Sequence, residues 1–221
     1  MSIEVIHLRK ILKILYSTPA QRTSALRSDI REDIARDGGG TISGGDFYGP
    51  FWRDAKDHVF GFGDLHDATE HRIESNPRRE NLYPQLRDGF LLWWNERRRW
   101  TNEPFHQLDA PKGRHIFADI GATVKVDNLL AVRDGRNADH FVYPYFSPTP
   151  PLGDEPGRLG LWLLREALPR INPDDLRVLD VIRGQTFAIE RNPLQGDEGD
   201  VFAARYRAAL NEWRRLWSEY E

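Results

Sequence analysis

ATVKVDNLLAV at 122–132, HFVYPYF at 140–146, RLGLWLLREAL at 158–168 and LRVLDVIRGQTFAIE at 176–190 decide the fold. The first alternates around Val124, Val126 and Leu129, which predicts a strand with a bulge, and DGRNAD at 134–139 is a turn signal before the second. Together they predict a hairpin. Beyond the proline-rich link SPTPPLGDEP, Leu159, Trp162, Leu163 and Ala167 recur at helical spacing, giving a helix from about Glu155 to Leu168. The fourth segment reads as a second hairpin turning at Arg183 and Gly184. A last amphipathic helix, about Val201 to Tyr220, presents Phe202, Tyr206, Ala209, Leu210, Trp213, Leu216 and Trp217, and either caps the sheet or docks a partner.

The order hairpin, helix, hairpin between residues 122 and 190 resembles the core of the PD-(D/E)XK nuclease superfamily, particularly its RecB-type members. In that family, carboxylates from adjacent strands hold magnesium, and a lysine helps to orient or activate the attacking water. The resemblance places Asp127 of VKVD at the first aspartate and HFVYPYF at the second motif. There this chain has Tyr143, Pro144, Tyr145 and Phe146, with neither the second carboxylate nor the lysine. A single aspartate is a poor magnesium site, because the ion takes several hard oxygen ligands. The resemblance therefore implies a nuclease-like core without its active site, and Asp127 receives no role.

Upstream the pattern is helical. Val5, Leu8, Ile11, Leu12 and Leu15 form one stripe, Thr18–Pro19 starts a second helix carrying Leu26, Ile30 and Ile34, and Gly38 to Gly40 stop it. The run GGGTISGGDF reads as a hinge or exposed loop. Two helices about a short turn can form a helix-turn-helix, but nothing marks a recognition helix, and packing against the body is the expectation. Phe47, Tyr48, Phe51 and Trp52 cluster around Pro50, with a helix from about Pro50 to His58. Asp64 is a good N-cap for a helix to Asn76. Another helix is expected from Pro77 to Trp100, bent at Pro84, burying Leu82, Leu86, Phe90 and Trp93 or Trp94. The expectation is one α+β domain over 1–221. It has a helical arm (1–40), a helical aromatic-rich region (46–110) and a nuclease-like core (116–221), so that a helical N-terminal half packs on a small mixed sheet with a crossover helix and a C-terminal amphipathic helix.

The 221 residues include no cysteine, which excludes disulfides, thiolate metal sites and a cysteine nucleophile. Apolar residues near the N-terminus are interrupted by His7, Arg9, Lys10 and Lys13, unlike a secretory signal, and no run approaches a membrane span. A cytoplasmic protein is expected. Net charge is -3 and pI about 6.2, which predicts no general attraction to nucleic acid. Lysine occurs only at 10, 13, 56, 112 and 125, so 26 of 31 basic residues are arginine, the residue suited to bidentate phosphate contacts.

Three constellations are candidates for chemistry. HVFGFGDLHDATEH gathers His58, Asp64, His66, Asp67, Glu70 and His71. His66 and His71 are five apart and diverge on a helix, so an HExxH-type site is excluded, while a mixed divalent-metal site from Asp64, Asp67 and His71 is conceivable beside a plain capped helix start. The stretch at 76–102 carries Arg78, Arg79, Arg87 and Arg97, Arg98, Arg99 among Tyr83, Trp93, Trp94 and Trp100. Arginines grip phosphate and indoles stack on bases, so Arg78, Arg79, Arg97, Arg98, Arg99 and Trp100 are the candidate nucleic-acid contacts. The alternative is a core aromatic helix with an arginine-rich solvent face. YPYFSPTPP fits a rigid crossover or a peptide-docking edge. There is no GxSxG elbow, P-loop or GxGxxG motif. The leading expectation is a non-catalytic interaction protein binding nucleic acid or a protein partner without a cofactor. The alternatives are a metal-dependent hydrolase built on the Asp/His cluster, and a structural subunit of a homo-oligomer joined through the C-terminal helix.

Overall fold

A computed structural model describes residues 3–37 and 47–220. The chain begins with a short strand β1 (Val5–His7), then α1 (Leu8–Tyr16) and α2 (Pro19–Asp37). An all-helical stretch follows: α3 (Gly49–Val59), α4 (Leu65–Ser75) and α5 (Tyr83–Leu92). Next come β2 (His106–Gln107), β3 (Gly113–Phe117), β4 (Ala122–Val126), β5 (Leu130–Arg133) and β6 (Asp139–Tyr145). Helix α6 (Asp154–Ala167), β7 (Leu176–Asp180), β8 (Gln185–Phe187) and α7 (Glu198–Trp217) complete an α+β fold. The strands make two mixed sheets. In the smaller, ordered β1-β4-β3, β1 runs parallel to β4; in the larger, ordered β2-β5-β6-β7-β8, α6 is the crossover that makes β6 and β7 parallel.

The larger sheet is a wall between two cores. Side chains alternate along a strand, so Ala131, Phe141, Tyr143, Leu176 and Val178 enter one cluster while Leu130, Val132, Val142, Leu179 and Val181 enter the other. The first cluster, largely aliphatic, is closed by α1, α2, α6, α7 and the small sheet. Helices α3 to α5 close the second with Phe51, Trp52, Phe90, Trp93 and Trp94. The helical N-terminal half is thus divided between opposite faces. Helices α1 and α2 do not project as a DNA-reading pair. Helix α1 buries Leu8, Ile11, Leu12, Ile14 and Leu15, and α2 lies along α7, tied by Arg22 Nε to Glu212 at 2.6 Å. Ile34, expected on the apolar face of α2, is exposed. The expected hinge at 38–47 lies, apart from Phe47, outside the described residues.

Three expectations need correction. Val5 belongs to β1, not to the first helix, because Val5, Ile6 and His7 pair with Thr123, Val124 and Lys125. The single strand expected over 122–132 is two strands in different sheets, separated at Asn128, whose φ of 60° breaks the extended backbone. That conformation is held on both sides. Trp52 Nε1 donates to the Asn128 carbonyl at 2.7 Å and Lys56 Nζ to its Oδ1 at 2.8 Å. The helix expected from Pro77 to Trp100 with a bend at Pro84 is instead broken into a 3-10 turn (Pro77–Arg79), α5, and a π-turn (Trp93–Arg97). Strands β2 and β3 have no counterpart in the sequence reading, whereas the remaining helices and strands follow it. Asp64 caps α4, its Oδ1 accepting from the N–H groups of His66 and Asp67, and both hairpins form where their turn residues place them.

The crossover link is clamped. Buried Asp180 accepts from Leu152 N at 3.1 Å and pairs with Arg183 Nη1 at 3.0 Å, and Arg183 donates onward to the carbonyls of Ser147 and Pro148. YPYFSPTPP is therefore a strand end and a rigid link, with Tyr145 Oη donating to the Pro150 carbonyl. Helix α7 turns Phe202, Tyr206, Ala209, Leu210 and Leu216 inward, with Trp213 and Trp217 packed half-buried against the same core. No helix among the described residues is long and apolar enough to cross a membrane.

Candidate nucleic-acid interface

Helix α5 rests directly on the β7–β8 turn. A Cβ at Gly89 would lie 2.2 Å from the Val181 and Ile182 carbonyl oxygens, so only glycine lets the backbones approach this closely, and Gly184 meets it with φ of 55°. Beyond Leu92 the helix widens into the π-turn, closed by Arg98 N donating to the Trp93 carbonyl at 2.8 Å. Arg97 ends it, and Arg98 leaves with extended backbone (φ -63°, ψ 141°). The three arginines therefore do not spiral around one helix.

Each has a different task. Arg97 Nη1 donates to the Arg183 carbonyl at 2.8 Å, tying the π-turn to the hairpin. Arg98 turns inward, its guanidinium 3.6 Å from the Trp94 ring centroid and 4.4 Å from that of Phe105. Burial works against its charge and Glu103 supports it. Its Nε and Nη1 are buried without a hydrogen-bond partner among the described residues. Arg99 is exposed.

These arginines line a groove of about 580 Å³ whose opposite wall is the edge strand β8 and the segment after it, with Gln185, Thr186 and Arg191. A narrower recess adjoining it adds Arg177 and Glu190. Five arginines (97, 98, 99, 177 and 191) thus face the carboxylates of Glu96, Asp154 and Glu190, leaving a positive surface in a chain of negative net charge. Arg177 is anchored through Nη1 to the Asp174 and Leu176 carbonyls, whereas Arg191 is exposed. Neither Arg177 nor Arg191 carries a local sequence signal. They join the site only because β7 and β8 fold back under the π-turn.

The other expected contacts are placed elsewhere. Trp100 is 9% exposed and stacks on His140 with centroids 4.1 Å apart and planes 7° apart, so it has no face to offer a base. Trp93 and Trp94 are buried as well. Arg78 and Arg79 sit at the far end of α5, about 15 Å of helix away. Arg79 lies over the Tyr83 ring and donates to the Arg72 carbonyl, while Arg78 is exposed. The six-residue surface read from the sequence is thus reduced to Arg97, Arg98 and Arg99, joined by Arg177 and Arg191.

His140 and Asp134 form a buried pair behind Trp100, Nε2 to Oδ2 at 3.3 Å. Burial works to raise the Asp134 carboxyl, but donors from Asn102, Ala138, Arg136 and His140 hold it down at about 2. Burial keeps the His140 imidazole below its usual range despite Asp134. The pair is sealed under the indole and fixes the β5–β6 turn, with Asp134 accepting from Arg136 N and Ala138 N.

The Asp/His cluster does not converge. Asp64 is occupied as the α4 cap, Asp67 follows it in the first turn, and His71 lies exposed a turn later. Among the described residues no group of three or more His, Asp or Glu is placed to hold a metal ion. Asp127 faces His7 Nδ1 at 3.2 Å. The His7 contact holds its carboxyl below the ordinary range; burial works the other way, and Arg9 and Lys112 add to the lowering. No family model, curated protein or solved structure matches the chain.

Proposed function

We propose that this chain is a non-catalytic nucleic-acid-binding protein that grips the phosphate backbone in the arginine groove between the π-turn and β8. The observation that carries the reading is the convergence of Arg97, Arg98 and Arg99 with Arg177 and Arg191, from segments some eighty to ninety residues apart, on one groove. Backbone phosphates carry most nucleic-acid affinity, and exposed guanidinium groups are their usual partners. Trp93 and Trp100 border the adjoining recess but are 1% and 9% exposed, too buried to stack on a base, so recognition there is electrostatic and indifferent to sequence. In topology, the β5–β6 hairpin followed by α6 and a parallel β7 supports a nuclease-like core. Tyr143, Pro144, Tyr145 and Phe146 stand where that resemblance needs a carboxylate and a lysine, which supports binding without cleavage.

The test is fluorescence anisotropy with labelled duplex and single-stranded DNA and RNA across a salt series, each sample then run on a denaturing gel with magnesium or manganese. Binding is expected to weaken with salt, with a log–log slope of about -3 for three to four phosphates neutralised. Arg99→Glu with Arg191→Glu is expected to weaken binding at least tenfold and flatten that slope, with strands left intact. Both residues are exposed, so the fold tolerates the change. Absence of salt-dependent binding, or a double variant that binds like the parent, overturns the groove; metal-dependent cutting overturns the non-catalytic reading.

A further inference from the structure

Away from the arginine groove, a cleft of about 440 Å³ opens between α1, α2 and the start of α3, bounded by Arg9, Lys10, Lys13, Phe47, Tyr48 and Phe146. Arg9 also lines a second pocket of about 390 Å³ with His7, Lys112, Asp127 and Asn128. The two cavities therefore neighbour one another, with Arg9 in the lining of both. Their chemistry differs. The first lobe has aromatic walls, with Tyr48 stacked on Phe146 at 5.0 Å and 6° and Arg9 lying 5.9 Å from the Phe146 centroid. Its Lys10 is already paired with Asp29 at 2.6 Å, and Asp29 and Glu32 also line it. The second lobe is almost wholly polar.

The placement of lysine singles out this region. Lys10 and Lys13 line the first lobe and Lys112 the second; Lys56 holds the side chain of Asn128, and Lys125 stands opposite His7 in the strand register. Three of the five lysines of an otherwise arginine-dominated chain thus line the two cavities, and the other two neighbour residues that line the second. Among the described residues Asp127 is the only carboxylate lining the second lobe, and His7, Arg9 and Lys112 answer its charge. Asn128 completes it in a left-handed conformation, the kind of strained backbone that persists where surroundings over-determine it. Because Lys56 occupies Oδ1, the amide has N–H groups left to offer. The positive end of the nine-residue α1 adds to the same field.

We propose that this two-lobed cleft binds a phosphorylated ring compound of the nucleotide type, the ring in the aromatic lobe against Tyr48 and the phosphate held by Arg9, Lys112 and Asn128. Cavities of this size accept ligands of that size. Arg9, at the junction, reaches a phosphate and a ring at once. Lysines as mobile point charges suit a phosphate monoester of variable position. The inference stands apart from the arginine groove and holds whether or not the groove binds nucleic acid.

Isothermal titration calorimetry of the full chain with adenosine 5′-monophosphate, adenosine and inorganic phosphate tests it. The monophosphate is expected to bind saturably at one site, with adenosine and phosphate each at least tenfold weaker. Lys112→Gln, at an exposed position that leaves the fold intact, and Arg9→Gln are each expected to weaken monophosphate binding at least fivefold. Failure of the monophosphate to saturate overturns the proposal, as does a Lys112→Gln variant that binds it like the parent. Inorganic phosphate binding as tightly as the monophosphate overturns the aromatic lobe's role.

Discussion

The two faces of the large sheet are covered by different chemistry. On the side of α1, α2, α6 and α7, seven of 34 buried hydrophobic residues are aromatic; on the side of α3 to α5, eight of 17 are. Leucine and isoleucine fill space in small increments, so the first core spreads its stability over many modest contributions. The second relies on a few large rings with directional contacts. Phe90, Trp93, Trp94, Trp100 and Phe105 form a chain of edge-to-face and tilted ring contacts, and Trp52 reaches from it to hold the Asn128 carbonyl. The difference teaches where each core is fragile: one loses little at any point, the other much at a few.

The largest expected effect is at Trp52. Trp52→Ala removes a fully buried indole and frees a backbone held at positive φ, with an expected loss of about 3–5 kcal/mol in denaturant unfolding. Ile6→Val in the aliphatic core is expected to cost about 1 kcal/mol. Similar losses at both positions would break the comparison. Because the cores share one sheet, near-UV and far-UV circular dichroism are expected to report one transition in the parent, and separated transitions would show that the aromatic side melts alone.

Next is Asp180. Asp180→Ala leaves the Arg183 guanidinium and Leu152 N without their buried acceptor and is expected to cost about 3 kcal/mol, with the link at 147–152 the first segment to gain hydrogen exchange. Unchanged protection there would show that the prolines alone fix the link.

The smallest effect concerns pH and sharpens the comparison from the aromatic side. Burial lowers the His140 imidazole in the native state. Below about pH 6.5 the unfolded chain therefore takes up a proton that the native fold excludes, and stability falls as pH drops through that value. Asp134, held down at about 2, adds a separate loss only between about pH 4 and pH 2. The fall in Tm between pH 7.5 and 5.5 is expected to shrink in His140→Gln. An unchanged fall would place the titrating group elsewhere, with His115, also lowered by burial, the next to test.

Much of this architecture is legible in the sequence, because turn chemistry and periodicity are local. DGRNAD, Asp64, the stripe of α6 and the stripe of α7 all announce themselves within a few residues. What escapes is set at long range. Val5 fits a helical stripe with Leu8, and with Ile6 and His7 it becomes a strand only because β4, more than a hundred residues later, offers an edge. Leu129 falls one residue out of step with ATVKV and reads as a bulge in one strand, yet Asn128 turns the chain into another sheet. At the groove, Arg97, Arg98 and Arg99 stand out in the sequence, whereas Arg177 and Arg191 are ordinary arginines until the hairpin brings them under the π-turn. The sequence leaves Trp100 open between core and surface because its partner, His140, lies forty residues away. The cleft at Arg9 draws on segments near residues 9, 48, 112, 128 and 146, and no local spacing encodes it.

A sheet walled on both faces also has no idle register. Six of the seven residues of β6 are buried, on alternating sides. Tolerance to substitution along it then has no two-residue rhythm. A polar replacement at Phe141 injures the aliphatic core, one at Val142 the aromatic core, and the strand offers evolution almost nowhere to drift.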